Sequence, residues 1–295
     1  MKSDRRDLVM TLAYRYPWED LSVFVNSLKS SGFTGDLVVF AARLDRRTIR
    51  ELESRGVVVV RIFLPLYRLA NVFLVPGWRP WRWLLRMIPG RAAKRTLAKH
   101  IFSIMCTRFA YFHDYLARHR DKYDQVMITD ARDVCFQSPP FENLGTQSVV
   151  TFLENQPISE NKANLVWLVQ TYGDRFPPTL LHRPIACAGV TLGTTAGMSD
   201  YLSKMLDGMF NAVKMRPVDG TDQAVHNFIF HTGMLKESEV MANGNPICMT
   251  MGPGDPFELD EDSRIISQGR VVSILHQYDR FPELKAAKQE RFAKC

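Results

Sequence analysis

The sequence predicts an α/β fold in which a mixed, mostly parallel sheet is flanked by helices. Three observations carry that expectation. Short apolar strand signals alternate with amphipathic helix signals from the N-terminus onward; one basic, tryptophan-rich stretch interrupts them; and no low-complexity linker or internal repeat divides the 295 residues. The expected organisation is a single domain over residues 1–295 with an insert at 64–95.

Residues 7–14 read as a strand. Leu21, Phe24, Val25 and Leu28 fall at helical spacing within 19–30, and Gly32 stops that helix. Residues 36–40 form a second strand, 45–54 a helix with Asp45 as N-cap, and 56–63 a third strand. No Gly-x-Gly-x-x-Gly follows the first strand, which speaks against a Rossmann dinucleotide fingerprint. After the basic stretch, the pattern gives one long helix at 96–120 and a short buried strand at 124–129. The second half reads as a strand at 148–153, a helix at 161–171, an extended stretch at 184–194, helices at 197–213 and 221–230, a strand at 271–275 and a terminal helix.

The chain carries a formal charge of +7, and its distribution is uneven. Between Ser54 and His113 there is no acidic residue and there are eleven basic ones, so the remainder of the chain stands at −4. Within the insert Trp78, Trp81 and Trp83 alternate with Arg79, Arg82 and Arg86, a combination suited to an anionic membrane surface through residues 76–95. A lid packed on the body, with Arg stems over apolar surface, fits equally. Single-stranded nucleic acid fits less well, because the rest of the chain is acidic. The longest apolar region is broken by Arg61, Pro65 and Arg68 and falls short of a spanning helix. Five cysteines without a CxxC pair argue against a disulfide framework or a structural zinc site. With no signal-peptide pattern at the start, the expected location is cytoplasmic, peripheral at most to the inner face of a membrane.

The sharpest feature is the segment 126–141. A strand that ends in Asp130 and Asp133 places two carboxylates at the carboxyl edge of the sheet, where open α/β folds bind ligands. Two carboxylates there suit a hard divalent cation, which in turn neutralises phosphate oxygens. With Arg132 between them, a salt-bridged turn is the plainer alternative.

The run Thr129-Asp130-Ala131-Arg132-Asp133-Val134 resembles the acidic metal motif of GT-A nucleotide-sugar glycosyltransferases, in the variant with an Asp-x-Arg-Asp core found in a group of plant and bacterial transferases. Cys187-Ala188-Gly189-Val190 resembles the segment that lines the donor sugar in that family. Asp222-Gln223 resembles the helix start placed near the reacting sugar, and His276 the late histidine that completes the metal site. The likeness covers 7–63 loosely and 96–280 more closely. It departs from the pattern in having Cys187 for Asn, D-x-x-D for D-x-D, and no Gly-x-Lys-Pro-Trp after His276.

The resemblance implies a GT-A-like catalytic domain, a nucleotide-sugar donor such as a UDP- or GDP-sugar, and Mn²⁺ or Mg²⁺ held by Asp130, Asp133 and His276. It implies donor contacts from Tyr14, Arg108, Asp130, Ala188 and Gly189, and a reacting centre at Asp222 and Gln223. Retention of configuration rests on that last pair alone. Plainer readings stand beside these: Asp222 as an N-cap, Arg108 as a solvated helix residue, Tyr14 as a strand-end aromatic. His226 and His231 read as structural. The acceptor is open, with a lipid-linked or membrane-proximal glycan fitting the basic insert. A nucleotidyltransferase on a related sheet, and a non-enzymatic membrane- or nucleic-acid-binding module, are the rival classes.

Overall fold

A computed structural model describes residues 6–63, 87–88, 90–145, 147–213 and 220–292. The chain opens with β1 (Arg6–Tyr14), α1 (Trp18–Ser30), β2 (Asp36–Ala42), α2 (Arg46–Ser54) and β3 (Val58–Arg61). Asp45 caps α2 as its position predicts, accepting from the Thr48 N–H at 2.7 Å. Next come α3 (Arg91–Ile101), α4 (Ile104–His119), β4 (Tyr123–Thr129), β5 (Val134–Phe136) and β6 (Val149–Pro157). Then follow α5 (Lys162–Tyr172), β7 (Pro184–Thr194), α6 (Thr195–Asn211), α7 (Thr221–His231) and β8 (Ser238–Met241). The short strands β9 (Cys248–Thr250), β10 (Glu258–Leu259), β11 (Ile265–Ser267), β12 (Arg270–Val271) and β13 (Ile274–His276) precede α8 (Pro282–Phe292).

Seven strands form the main sheet in the order β3-β2-β1-β4-β7-β6-β8. It is parallel except where β7 runs against both β4 and β6, so the expected α/β class with a mixed, mostly parallel sheet holds. Both faces are buried, as parallel sheets require. Along β1, Leu8, Met10 and Leu12 face one core with residues of α4, α6 and α7, while Val9 and Ala13 face the other with residues of α1 and α2. That period of two fixes the register, since a one-residue slip would exchange the two sets. A second sheet, β5-β13-β9, leads off the end of β4 and will prove to be what brings the late histidine to the acidic motif.

The single helix expected over 96–120 is instead two. Phe102 and Ser103 adopt extended backbone, with ψ near 158° and 160°, and separate α3 from α4. The turn buries Phe102, whose ring packs 4.8 Å from that of Phe210. The Thr107 hydroxyl lies 3.2 Å from both Phe102 O and Ala98 O, the latter also accepting the Phe102 N–H at 3.1 Å. Core burial thus outweighs the helical periodicity that runs through the break.

Of the basic insert, residues 64–86 and 89 lie outside the described residues, and Trp78, Trp81 and Trp83 with them. The described end of the insert and the helix that follows make ion pairs with acids outside it: Arg91 with Asp207 at 3.4 Å, Arg95 with Asp114 at 3.3 Å, and Lys99 also with Asp114. No described helix is long and apolar enough to cross a membrane.

His226 and His231 take structural places. His231 Nε2 meets the Pro184 carbonyl at 2.8 Å. His226 is fully buried between the Thr151 hydroxyl and the Tyr201 hydroxyl, each 2.7 Å away. Burial, with smaller contributions from His231 and Arg108, holds its pKa down to about 3, against an ordinary 6.5. Below 6.5 the unfolded chain takes up a proton that the folded one refuses, so this residue withdraws stability as pH falls, by about 1.4 kcal/mol per unit. The stability difference between the wild type and His226→Gln should therefore shrink by about that amount per pH unit between pH 6 and 4, measured by urea unfolding. A difference independent of pH would contradict the buried neutral imidazole.

Candidate metal centre and cleft

Strand pairing assembles the acidic site. Asp130 follows β4, and its N–H donates to the Gly189 carbonyl at 2.9 Å, continuing the β4–β7 ladder by one residue. Three residues on, β5 pairs antiparallel with β13 so that His276 stands opposite Val134, and the Gln277 N–H donates to the Asp133 carbonyl at 2.7 Å. Asp133 and His276 are therefore register neighbours, 143 positions apart in sequence only by count of the chain between them. His276 Nε2 lies 3.9 Å from Asp130 Oδ2 and 3.9 Å from Asp133 Oδ2. Among the described residues these are the one set of three such side chains close enough to share a cation.

Two observations test whether the residues fit one. His276 is 1% exposed, and its Nε2 has no hydrogen-bond partner although it faces two carboxylates. Its other nitrogen, Nδ1, is 3.3 Å from the Thr250 hydroxyl, which the β13–β9 pairing places opposite it, and 3.6 Å from Cys187 Sγ. A proton on Nδ1 leaves the Nε2 lone pair toward the acids, the arrangement of a ligating histidine held from behind. The second observation is Gly189. A methyl group there would overlap the His276 imidazole and crowd Asp130 Oδ2, so the strand approaches the cluster as closely as only glycine allows. Mg²⁺ bonds of about 2.1 Å set neighbouring ligands ~3 Å and opposite ones ~4.2 Å apart; only one acid can stand opposite Nε2, so at least one of the two 3.9 Å separations must close by ~0.9 Å on binding.

The charges around the cluster are strongly perturbed. Burial would raise the Asp130 pKa, but Arg108 and His276 hold it well below the ordinary carboxylate range. Asp133 moves up, through burial and the neighbouring Asp130 charge, with His276 offsetting part. Against the effect of burial, Cys187, Asp130 and Asp133 raise the His276 pKa well above 6.5. A cation and a proton on Nε2 thus compete for one place.

Arg108 stands on the helix before the acidic strand and lines the cleft, but it is buried, so the reading of a solvated helix residue fails. It is 6% exposed on α4, with Nη1 bonded to Asp130 Oδ1 and Nη2 to Asp222 Oδ2 at 3.1 Å. Both terminal nitrogens are engaged by carboxylates, so its evident work is positioning those acids rather than meeting a diphosphate. Arg132, exposed between the two aspartates, is not the arginine that pairs with Asp130. Asp222 sits in the first turn of α7; the N-cap is Gly220, so the plain capping reading of Asp222 fails. Its pKa rises through burial and Asp130, with Arg108 opposing. Gln223 has both amide atoms on the backbone of β7, accepting from Ala188 N–H at 3.0 Å and donating to Ala186 O at 2.6 Å. It shapes the strand beside the cleft.

A cleft of about 880 Å³, its open mouth included, runs past these groups. Arg108, Asp130, Ala188, Gly189, Asp222, Gln223 and His276 line it; Tyr14 and Asp133 do not. Tyr14 ends β1 with the Arg15 guanidinium 5.4 Å over its ring. An aromatic that does feel the cluster is Tyr16, whose pKa is pushed up by burial, with Arg132 opposing and Asp130 and Asp133 adding to the rise. Sequence reasoning also passed over Thr250, Asn164, Trp167, Gln277 and Arg280. Proximity to the motifs would have flagged Tyr16, two residues beyond the first strand, and Gln277, next to His276. Nothing local marks Thr250, which arrives through β9.

The chain matches no protein-family profile, and no curated protein matches it in sequence.

Replacing Asp130 or Asp133 by Asn, or His276 by Gln, should weaken Mn²⁺ binding by about tenfold or more, read from the free-ion electron paramagnetic resonance signal. Gly189→Ala should do the same without touching a ligand. Retention of full Mn²⁺ affinity in Gly189→Ala would contradict the close approach of β7.

Proposed function

We propose that the protein is a metal-dependent glycosyltransferase that moves a sugar from a nucleoside-diphosphate donor such as a UDP- or GDP-sugar. The observation that carries the reading is the convergence of Asp130, Asp133 and an unpartnered His276 Nε2 at the carboxyl edge of a mostly parallel sheet, beside an open cleft. Asp130, Asp133 and His276 would hold Mn²⁺ or Mg²⁺. When bound, such a cation neutralises the charge that develops on the diphosphate as its bond to the sugar breaks.

The chain's own residues supply the rest. Arg108 keeps the Asp130 and Asp222 carboxylates apart and aimed, one toward the cluster and one toward the start of α7. Gln223 and Asn227 hold β7 from the side, Asn227 Oδ1 accepting from Ala186 N–H at 2.8 Å. The donor sugar then lies against Ala188 and Gly189 with Asp222 able to contact its hydroxyls. Glu154 lines the same cleft, its carboxyl pushed up by burial, with His276, Cys187 and Arg280 opposing.

A nucleoside diphosphate at about 100 times its dissociation constant stabilises by ~2.7 kcal/mol, about 5 °C in Tm for a chain of this size. With Mn²⁺ present, UDP or GDP should produce a shift of that order, absent without the metal and in Asp130→Asn. If no nucleoside diphosphate raises Tm with Mn²⁺, or Asp130→Asn leaves the shift intact, the reading is wrong. A hydrolysis screen over nucleotide sugars then identifies the donor.

The same reading places the enzyme in the cytoplasm against the inner face of an anionic membrane through residues 76–95. Arg91 and Arg95 pair with Asp207 and Asp114, which leaves Lys94 together with Trp78, Arg79, Trp81, Arg82, Trp83 and Arg86 for the contact. The protein should float with vesicles containing phosphatidylserine and not with pure phosphatidylcholine, and replacing the three tryptophans by Ala should abolish flotation. Equal recovery with both lipids, or with neither, removes the membrane assignment.

A further inference from the structure

The cleft has a wall that the metal centre does not use. Asn164 and Trp167 are three positions apart on α5, share a helix face, and both line the cleft. The Asn164 amide has a determinate orientation. Its own backbone N–H donates to Asn161 Oδ1 at 3.0 Å, which makes that atom an oxygen; the Asn164 amide atom 3.2 Å from the same oxygen must then be the NH₂. What remains is Asn164 Oδ1, on a residue 8% exposed, with no hydrogen-bond partner. Gln277 Oε1, on another residue lining the cleft, is a second acceptor left unpaired. Acceptors that the fold buries and leaves unmatched call for donors from outside.

Trp167 supplies an apolar surface beside them. Gly220, with φ of 84°, lies so close to the indole that a methyl there would overlap Cγ, Cδ1 and Cδ2. The ring is thus fixed from one side by Gly220, the N-cap of α7, and packs against the cluster of Ile158, Leu168 and Leu180, so a ligand would meet the part of the half-buried indole that lines the cleft. A flat apolar ring next to amide oxygens suits a ligand with an apolar face and a rim of hydroxyl donors, and not an anion, which amide oxygens repel.

We propose that Trp167 and Asn164 seat a pyranose ring, the ring stacked on the indole and a hydroxyl donating to Asn164 Oδ1, and that this ring belongs to the acceptor. The acceptor is then a glycoside rather than a protein side chain or a plain lipid alcohol. Only the assignment to the acceptor rests on the transferase reading; the saccharide contact itself draws nothing from the acidic cluster.

The test is the indole N–H resonance of Trp167, assigned by its loss in Trp167→Phe. The full-length protein is titrated with methyl glycosides of glucose, galactose, mannose and N-acetylglucosamine, with and without Mn²⁺ plus UDP or GDP. At least one glycoside should shift the resonance saturably, and Asn164→Leu should weaken that binding about tenfold while Mn²⁺ affinity stays unchanged. If Asn164→Leu does not fold, the wild-type titration decides alone. The proposal is overturned if no glycoside moves the resonance, or if only the nucleotide does. A glycoside response without any Mn²⁺ or nucleotide response keeps the saccharide seat and removes the transferase reading; the reverse pattern removes the seat and keeps the transferase.

Discussion

The arrangement depends on Arg108 serving two carboxylates at once. Asp130 at the end of β4 and Asp222 at the start of α7 come from elements 92 positions apart in the chain, and each presents a negative charge to a region where Asp133 adds a third. Burial makes every one of those charges expensive unless it is paired. A single guanidinium from α4 bridges two of them, and its planar fork can do so where a lysine could reach only one well. Removing one partner of such a buried pair typically costs about 3–5 kcal/mol, so the pairing ties the packing of α4 and α7 to the edge of the sheet. It also leaves Asp130 Oδ2 turned toward His276, while Oδ1 answers Arg108.

The second constraint is backbone shape. β7 pairs with β4 through Thr194 to Val190 and with β6 in three registers, shifted between Thr191 and Cys187 and again between Ala186 and Pro184. The strand therefore departs from a regular ladder beside the acidic cluster, and its freed backbone groups need partners. Asn227 and Gln223 provide them from α7, taking the Ala186 N–H, the Ala186 carbonyl and the Ala188 N–H. The side chains that looked chemical in the sequence are thus structural in the first instance. They hold Gly189 where it can approach His276, and glycine is the residue that fits that approach without collision.

This division explains what the sequence disclosed. Asp130 and Asp133 were legible because strand ends are local features and a carboxylate after an apolar strand has few places to go, whereas His276 was marked only by the family resemblance. The alternating cores of β1 were legible for the same reason: period-two burial is written in consecutive residues. Arg108 was visible as a candidate, but its occupation was not, since the partners of a helix arginine are set by how α4 meets β4 and α7. The short strands β5 and β8 to β12 carry too few residues for any period to register, yet β5 and β9 decide which groups stand behind His276. The break at Phe102–Ser103 escaped because helical spacing continues through it and only the burial of Phe102 gives it away.

Unpartnered polar atoms point to the same place as the charges. Twelve buried side-chain nitrogen or oxygen atoms lack a hydrogen bond among the described residues, and five of these are Ser or Thr hydroxyls, which rotate easily and lose little. Of the seven rigid ones, four belong to residues that line the cleft: Arg108 Nε, Asn164 Oδ1, His276 Nε2 and Gln277 Oε1. Leaving a buried polar atom unmatched costs about 1–3 kcal/mol, and a fold optimised only for stability would not concentrate such costs on one surface. They differ in kind, a donor, two acceptors and a ligating nitrogen, so no single small ion satisfies them all. The proposed ligand of several parts would: a cation for the imidazole, and hydroxyl-bearing groups for the amides. Of the basic segment, Arg108 lines the cleft, while Arg91, Arg95 and Lys99 pair with Asp207 and Asp114 and do not. Most of the chain's excess positive charge therefore lies away from the cleft, and the cleft's own unmatched groups are the better guide to its chemistry.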